Sequence, residues 1–194
     1  LQDIAALTAV LQSRKEARWL LVHDNSYRFS IGLFALLAAG KQVVLPPNVQ
    51  SGTLASLGDL PVLSPDAIAI DEMARCEHLN LLPLDLEWLT ITVLTSGSTG
   101  EAKAICKPLR CFAEELRVLE QQWGVQLGKA AVLATVSHQH IYGLLFRLLW
   151  PLCAGRPFAA ETALYPETLV ASIRQWPRSV LVSSPAQLQR FPPA

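Results

Sequence analysis

The sequence lacks an apolar run long enough to cross a bilayer. Its two most apolar runs span residues 31–39 and 141–152, and the second contains Arg147 near its middle. Both are shorter than the roughly 20 residues that a hydrocarbon core requires. Neither follows a charged signal-peptide region at the start of the chain. These absences exclude a predicted membrane span, and we interpret both runs as buried helices.

The sequence also lacks an excess of charge of either sign. Its 16 Lys and Arg residues balance its 16 Asp and Glu residues. A balanced chain generates no long-range field that would attract nucleic acid or an anionic membrane. We therefore expect neither as a partner, and only a local basic patch is left open by this balance.

Cysteine is scarce and does not have the spacing of a metal site. The four cysteines are Cys76, Cys106, Cys111 and Cys153. No two of them form a CxxC pair, and no cluster of histidines accompanies them. We interpret them as buried or incidental thiols of a cytosolic protein and predict no metal ligand among them.

What the sequence does contain is an alternation of strand-like and helix-like segments. Strands are predicted at 18–23, 42–46, 60–64, 88–95, 130–136, 157–161 and 179–183. Helices are predicted at 29–39, 51–57, 108–124, 141–152 and 166–175, and another begins at Ser184-Pro185. Residues 65–90 have no strong period and are interpreted as a short helix plus a loop. The alternation predicts an α/β fold with a largely parallel sheet flanked by helices.

Six small or hydroxylated residues stand in a row at the end of predicted strand 88–95. They are Thr95-Ser96-Gly97-Ser98-Thr99-Gly100, and Lys103 follows them. Glycines allow backbone N–H groups to turn to one side, hydroxyls add donors, and the lysine adds a positive charge. This combination favours an anion, above all phosphate. The alternative is an ordinary flexible turn between a strand and a helix.

Two other enzyme loops have similar composition but fail on spacing. A Walker A loop requires G-x-x-x-x-G-K-[ST]. Counted from Gly97, its second glycine position holds Ala102, and the position of the Mg²⁺-binding hydroxyl holds Ala104. A nucleophile elbow requires G-x-S-x-G, but Ser96 stands at its first glycine. The segment therefore lacks a residue that the chemistry of each of these two loops requires.

His23, Asp24 and Ser26 stand close together after the first predicted strand. A catalytic triad is recognised by spatial geometry and not by adjacency in sequence. We interpret these residues as a turn with a helix cap.

The segment from Thr95 to Lys103 resembles the phosphate-binding signature of the adenylate-forming superfamily. That family includes the acyl- and aryl-CoA synthetases, the adenylation domains of peptide synthetases, and luciferases. Its usual signature is T-S-G-[ST]-T-G-x-P-K after a strand. Here Ala102 stands in place of the proline, and Leu94 in place of the aromatic residue often found before the signature.

Two weaker matches follow in the expected order. The family's histidine or aromatic residue followed by x-x-G-L resembles the segment 140–144, with sequence HIYGL. Segment 179–191 resembles the family's later strand and its S/T-x-P-x-x-L motif. Alone, His138 and His140 would be interpreted as surface or helix-start residues. The order of the motifs favours a place for His140 at the substrate pocket.

The resemblance implies a two-step reaction with ATP and Mg²⁺ as cofactors. A carboxylate attacks the α-phosphorus of Mg-ATP to give an acyl-adenylate and pyrophosphate, and the thiol of CoA or of a carrier protein then displaces AMP. The implied nucleotide-binding residues are Thr95, Ser96, Gly97, Ser98, Thr99, Gly100 and Lys103. Lys103 would offset phosphate charge as the catalytic residue. His140, Tyr142 and Gly143 would shape the pocket of the carboxylic acid, which could be an aryl acid or a medium acyl chain.

The family's later motifs have no counterpart before Ala194. These are the adenine-binding segment with its acidic Mg²⁺ ligand, the ribose-binding aspartate, the hinge, and the C-terminal domain with its lysine. We therefore expect 1–194 to be a partial large N-terminal domain of a cytoplasmic AMP-forming ligase, with the C-terminal domain absent. Residues 1–87 would be a first α/β portion, and 88–194 the portion that carries the phosphate-binding loop.

The resemblance also leads to expectations about the chain by itself. The fragment is expected to be inactive, and a truncated sheet would expose apolar strand edges that favour self-association. The alternative to a ligase is a degenerate adenylation-fold domain. Such a domain would bind a nucleotide or a partner without catalysis.

Overall fold

The computed structural model describes residues 1–48, 50–64, 81–96 and 102–189. The chain divides into two compact units. The first comprises residues 1–23 and 27–112, and the second comprises residues 24–26 and the chain from Ala113 onward. Each unit has its own sheet and its own apolar clusters. The predicted α/β class is confirmed, whereas the predicted division into 1–87 and 88–194 stays a prediction.

The first unit is built on a five-stranded sheet. Its strands are β1 (Arg18–Leu21), β2 (Gln42–Leu45), β3 (Val62–Leu63), β4 (Thr90–Ser96) and β5 (Ala102–Pro108). The order across the sheet is β3-β1-β2-β4-β5, and every pair is parallel except the antiparallel β4–β5 pair. Along the chain, the strands alternate with the helices α1 (Gln2–Gln12), α2 (Ser26–Ala38) and α3 (Ser51–Ser56).

The core of this unit follows from the apolar strand segments. Leu20 of β1, Val44 of β2 and Leu94 of β4 form one buried cluster. Short continuous apolar runs of this kind are typical of parallel strands that are covered on both faces. Helix α2 ends just before Gly40, which has φ of 72°. Glycine adopts this left-handed conformation without strain, so the predicted end of the helix is confirmed.

Two elements of the first unit were not predicted. One is α1, which precedes the first predicted strand. The other is β5, because the sequence predicts a loop from Thr95 to a helix that begins at Pro108. Residues 102–108 instead pair in full with β4. The local sequence has only one strong strand former, Ile105, so backbone pairing with the buried β4 decides the conformation.

The helix after β5 is longer than predicted. Helix α4 spans Leu109–Leu127, whereas the sequence predicts an end at Gly124. The prediction was wrong because the hydrogen-bond pattern continues through Gly124, whose carbonyl accepts from the N–H of Gly128 at 2.9 Å. Gly128 has φ of 54°, and the helix ends there. One interior glycine costs only about 1 kcal/mol relative to alanine, which tertiary contacts can offset.

The second unit contains a two-stranded parallel sheet. Its strands are β6 (Ala131–Ala134) and β7 (Ser179–Val182). A helical stretch follows β6 and comprises α5 (Ile141–Gly143), a π-helix (Leu144–Leu149) and α6 (Trp150–Cys153). Two further helices are α7 (Pro166–Gln175) and α8 (Pro185–Leu188). The predicted strand 157–161 is only an isolated bridge between Phe158 and Val132, because a single register position pairs there.

An ion pair holds the end of α4 in the second unit. The Arg156 guanidinium donates two hydrogen bonds to the Glu120 carboxylate, at 2.6 and 2.8 Å. It also donates to the carbonyls of Gly124 and Gly128, at 3.2 and 2.8 Å. The hydrogen bond from Arg156 lowers the pKa of Glu120, and a hydrogen bond from the Trp150 indole adds to this effect. The pair therefore fixes the last turn of α4.

Substitution of Glu120 by glutamine is expected to lower the free energy of unfolding by about 1 kcal/mol at pH 7. The value is small because the Glu120 side chain is 45% exposed and is screened by solvent. The folded-state pKa of Glu120 lies below its unfolded value, so the pair contributes fully above about pH 4.5 and is lost as the pH falls through the folded-state pKa. Urea denaturation at several pH values measures this. A difference between the two proteins that is unchanged at pH 3 would contradict the assignment.

Within the described residues, no helix has both the length and the apolar character needed to cross a membrane.

Candidate active site

Three of the predicted phosphate-binding residues lie in described strands: Thr95 and Ser96 end β4, and Lys103 is near the start of β5. Strand β4 continues beyond its last pair with β2 through Leu94, Thr95 and Ser96. Ser96 pairs with Ala102, and the two strands are joined by 97–101. The predicted residues Gly97, Ser98, Thr99 and Gly100 lie outside the described residues. Strand β4 is parallel to β2, and in open α/β sheets ligands bind at the carboxyl ends of the strands.

Thr95 and Lys103 are brought together by the hairpin. They are directly opposite each other across the two strands, so their side chains lie on the same face of the sheet. The Thr95 hydroxyl donates to the Lys103 carbonyl at 3.3 Å. The Lys103 side chain is exposed. An ammonium group and a hydroxyl therefore share one face near the carboxyl end of β4.

The second unit has a cleft of about 610 Å³ at the carboxyl ends of its strands. The residues that line it are Asp24, Thr135, Val136, Ser137, His140, Glu161, Thr162, Leu164, Ser184 and Gln187. Segment 135–140 continues from β6, and Ser184 follows β7. Most of these side chains carry hydroxyl, carboxylate, imidazole or amide groups. The cleft can therefore form many hydrogen bonds with a polar ligand.

Hydrogen bonds hold the loops at this end of the sheet. The hydroxyls of Thr135 and Ser183 are 2.6 Å apart and connect the loops that follow β6 and β7. The Ser184 hydroxyl accepts from the N–H of Gln187 at 3.3 Å and caps α8, as its position before a proline predicts. The loops are thus ordered by local caps and by a bond between them.

The three predicted pocket residues have different places in this unit. His140 is exposed, lines the cleft and immediately precedes α5. The Tyr142 hydroxyl donates to the Ser183 carbonyl at 3.3 Å, and the Tyr142 ring lies 5.0 Å from that of Phe146. Gly143 is buried, and a Cβ atom there would lie 1.9 Å from the carbonyl oxygen of Ser137. His140 therefore faces the cleft, while Tyr142 and Gly143 hold the helical stretch against the loops beside it.

A buried arginine beside the cleft was missed by the sequence-based site prediction. Arg147 lies in the π-helix and is 1% exposed. Its guanidinium donates to the Val136 carbonyl at 2.7 Å and to the Thr162 hydroxyl at 2.6 Å. Burial lowers the pKa of Arg147 to about 10, and the negative charge of Glu161 acts in the opposite direction. Arg147 therefore keeps its charge at neutral pH. Its position in the middle of an apolar run was the available signal.

Ser26 and His138 form a buried contact in the same unit. The Ser26 hydroxyl and His138 Nδ1 are 3.0 Å apart, and the two residues are 0% and 1% exposed. No substrate could reach this hydroxyl without opening the unit. The contact instead joins segment 24–26 of the second unit to the loop after β6.

Comparisons with known proteins give sequence and structural relatives. No protein-family model matches the chain. The 4-coumarate–CoA ligase of Rhodobacter capsulatus is 29% identical over 110 residues, which are 56% of this chain and 28% of that protein.

Two solved structures have the same fold. ATP-bound MatB from Rhodopseudomonas palustris matches with a TM-score of 0.73 and 18% identity, over 97% of this chain and 44% of that one. The O-succinylbenzoate–CoA synthetase MenE of Bacillus subtilis, in complex with ATP and magnesium, matches with a TM-score of 0.71 and 15% identity, over 97% and 56%.

The chain therefore spans about a quarter to about half of the length of these relatives. Its fold is that of adenylate-forming enzymes, and the predicted resemblance to the adenylate-forming superfamily is confirmed.

Proposed function

We propose that the chain is part of a cytoplasmic, ATP-dependent, AMP-forming carboxylic acid–thiol ligase. The observation that supports this most directly is the hairpin that carries the signature residues. Thr95 and Lys103 share one face near the carboxyl end of β4. The ligase relatives add independent support. The longer protein would activate a carboxylate as an acyl-adenylate and transfer it to CoA or to a carrier-protein thiol.

The nucleotide would bind at the turn of the hairpin. The barrier to adenylation is mostly electrostatic, because a carboxylate must approach a negatively charged phosphate and charge develops on the leaving pyrophosphate. Residues 95–100 would donate backbone N–H and hydroxyl groups to the β- and γ-phosphates. The exposed Lys103 ammonium would offset their charge. In this role Lys103 stabilises the transition state without transferring a proton.

Magnesium is expected to enter with the nucleotide. Across residues 1–48, 50–64, 81–96 and 102–189 there is no group of three His, Cys, Asp or Glu side chains that could hold a metal ion. Mg²⁺ commonly binds through substrate phosphates with only one or two protein carboxylates. It would neutralise phosphate charge when ATP is bound.

The carboxylic acid would bind in the cleft of the second unit, beside His140. The cleft volume of about 610 Å³ is in the usual range for a small-molecule site. His140 is the signature residue that lines it. Tyr142 and Gly143 would act on the pocket through the helical stretch. We also propose that the chain by itself is inactive, because it spans only about a quarter to about half of the length of its relatives.

Acid-dependent ATP–pyrophosphate exchange by the full-length protein tests this function. Exchange across a panel of aryl, alkyl and hydroxylated acids should depend on one class of acid and on Mg-ATP, since adenylation is reversible. The same assay on the 194-residue chain should give only background exchange. A folded full-length protein that binds ATP but catalyses no exchange with any acid would contradict the proposal and favour a non-catalytic binding module.

A further inference from the structure

Arg147 connects two separate loops beside the cleft of the second unit. One loop follows β6 and contains Val136, whose carbonyl accepts from Arg147 Nη1 at 2.7 Å. The other contains Thr162, whose hydroxyl accepts from the same nitrogen at 2.6 Å. Nη2 donates to the Ala160 carbonyl at 3.3 Å. Val136 and Thr162 both line the cleft, so one guanidinium contacts two segments of its lining.

Burial of the Arg147 cation costs free energy, which indicates that its hydrogen bonds to the two loops have a specific role. Arg147 is among the largest fully buried side chains of the described residues. Its Nε has no hydrogen-bond partner among those residues, so the guanidinium is not fully satisfied. An apolar side chain in the middle of an apolar helix would avoid the desolvation of a charge. What the arginine provides instead is a rigid fork of donors that reaches two loops at once.

The surrounding charges place this fork next to the polar lining. Glu161 stands in sequence between Ala160 and Thr162, which both accept hydrogen bonds from Arg147. It lines the cleft and interacts electrostatically with the guanidinium. The amide of Asn25 donates to the Glu161 carboxylate at 2.6 Å. Arg147 thus contacts the segment that contributes Glu161 and Thr162 to the lining of the cleft.

We propose that Arg147 is a positioning residue for the substrate cleft, which it keeps in shape by holding the loops 135–137 and 160–162 at a fixed separation. The proposal assigns it no contact with the reacting atoms. Its effect on the carboxylic acid rests on the proposed function, whereas its effect on the loops does not. A misplacement of about 1 Å in a substrate-positioning wall can lower catalytic efficiency by about 100-fold.

The test compares Arg147→Lys with Arg156→Lys in the full-length protein. Both replace a buried arginine of the second unit with a lysine, which has an amine but lacks the planar fork of donors. Arg156 is the matched control, because it holds the end of α4 and is not part of the cleft lining. Thermal unfolding reports the loss of stability in each variant. Hydrogen exchange is followed at the amides of Ala159 and Ala163, which donate to Val132 and Ala134 of β6.

We expect exchange at these two amides to increase about 10-fold or more in Arg147→Lys and to be unchanged in Arg156→Lys. In the ATP–pyrophosphate assay, the KM for the acid should rise about 10-fold in Arg147→Lys while the KM for ATP is unchanged. The proposal would be overturned if Arg147→Lys and Arg156→Lys had equal effects on hydrogen exchange at these amides and on the KM for the acid. A general loss of stability would then explain both effects.

A second pair of variants covers the case in which Arg147→Lys does not fold. Thr162→Val removes the hydroxyl acceptor of Arg147, and Thr162→Ser keeps it. The positioning role is supported if hydrogen exchange at the Ala163 amide increases in Thr162→Val and stays at the wild-type rate in Thr162→Ser. Identical exchange in both variants contradicts it. If the wild-type protein catalyses no acid-dependent exchange, the proposed function fails, while the hydrogen-exchange comparison still decides the role of Arg147.

Discussion

Lys103→Ala is expected to lower kcat/KM for ATP in acid-dependent pyrophosphate exchange by about 100-fold. The reason is the loss of the positive charge that would offset the β- and γ-phosphates, since loss of one preorganised group at a site of developing charge typically costs about 2.7–4 kcal/mol. The side chain is exposed on an otherwise paired strand, so stability should be unchanged within about 0.5 kcal/mol. Stopped-time pyrophosphate-exchange assays measure kcat/KM for ATP, and urea denaturation measures the free energy of unfolding.

Lys107→Ala is the matched control for this prediction. Lys107 lies on the same strand and the same face as Lys103 but pairs with Ile91, about 13 Å farther from the turn. Its loss should change kcat/KM by less than about 2-fold, because a charge at that distance is largely screened. Exchange that survives Lys103→Ala undiminished, or that falls equally in both variants, would remove the proposed role of Lys103.

Gly143→Ala is expected to destabilise the second unit by about 3 kcal/mol or more. A methyl group at this position would lie 1.9 Å from the Ser137 carbonyl oxygen, which is backbone and cannot rotate away. Either the helical stretch or the loop after β6 must move, and forced overpacking of this kind costs about 1–3 kcal/mol or more. Because Ser137 lines the cleft, the KM for the acid should also rise. Urea denaturation followed by tryptophan fluorescence measures the change in stability.

Gly52→Ala is the control for a glycine-to-alanine change in a helix. Gly52 lies in α3, and a Cβ atom there would have no neighbour within 4 Å. Its substitution should be neutral or should stabilise the protein by up to about 1 kcal/mol, the difference in helix propensity. If Gly143→Ala proved equally neutral, the close contact between α5 and the loop after β6 would be refuted.

Local patterns were sufficient to predict most of the elements. The central strand β2 was predictable because three consecutive apolar residues are bounded by Gly40 and by prolines. Helix α7 was predicted with its observed bounds, since Pro166 favours the first helical turn. In these cases the conformation is decided by residues that are close together in the sequence.

Non-local contacts explain the elements that were predicted incorrectly. Strand β5 depends on pairing with β4, and its own composition carries little strand signal. The extension of α4 past Gly124 depends on Arg156, which is 32 residues away. The predicted strand 157–161 is reduced to one bridge at Phe158. No local pattern records these partners, so a prediction from the sequence could not include them.

The candidate site was predictable to different degrees in the two units. The signature motif indicated Thr95 and Lys103, which pair across β4 and β5, and their role in binding ATP stays a prediction. His140 was identified by a weak motif and lines the cleft. Asp24 and Glu161 also line the cleft, but no motif identified them, because only the fold of the second unit brings them there. A charge within an apolar run, as at Arg147, was the one further signal that the sequence offered.

A titration of the isotope-labelled chain with pyrophosphate, followed by NMR, tests the central claim most directly. The claim is that the turn after β4 binds the polyphosphate of a nucleotide. We predict saturable shifts that begin at the amides of residues 96–100 and are weakened in Lys103→Ala. Shifts confined to the second unit, or shifts at the turn that are equally strong without the lysine, would contradict it.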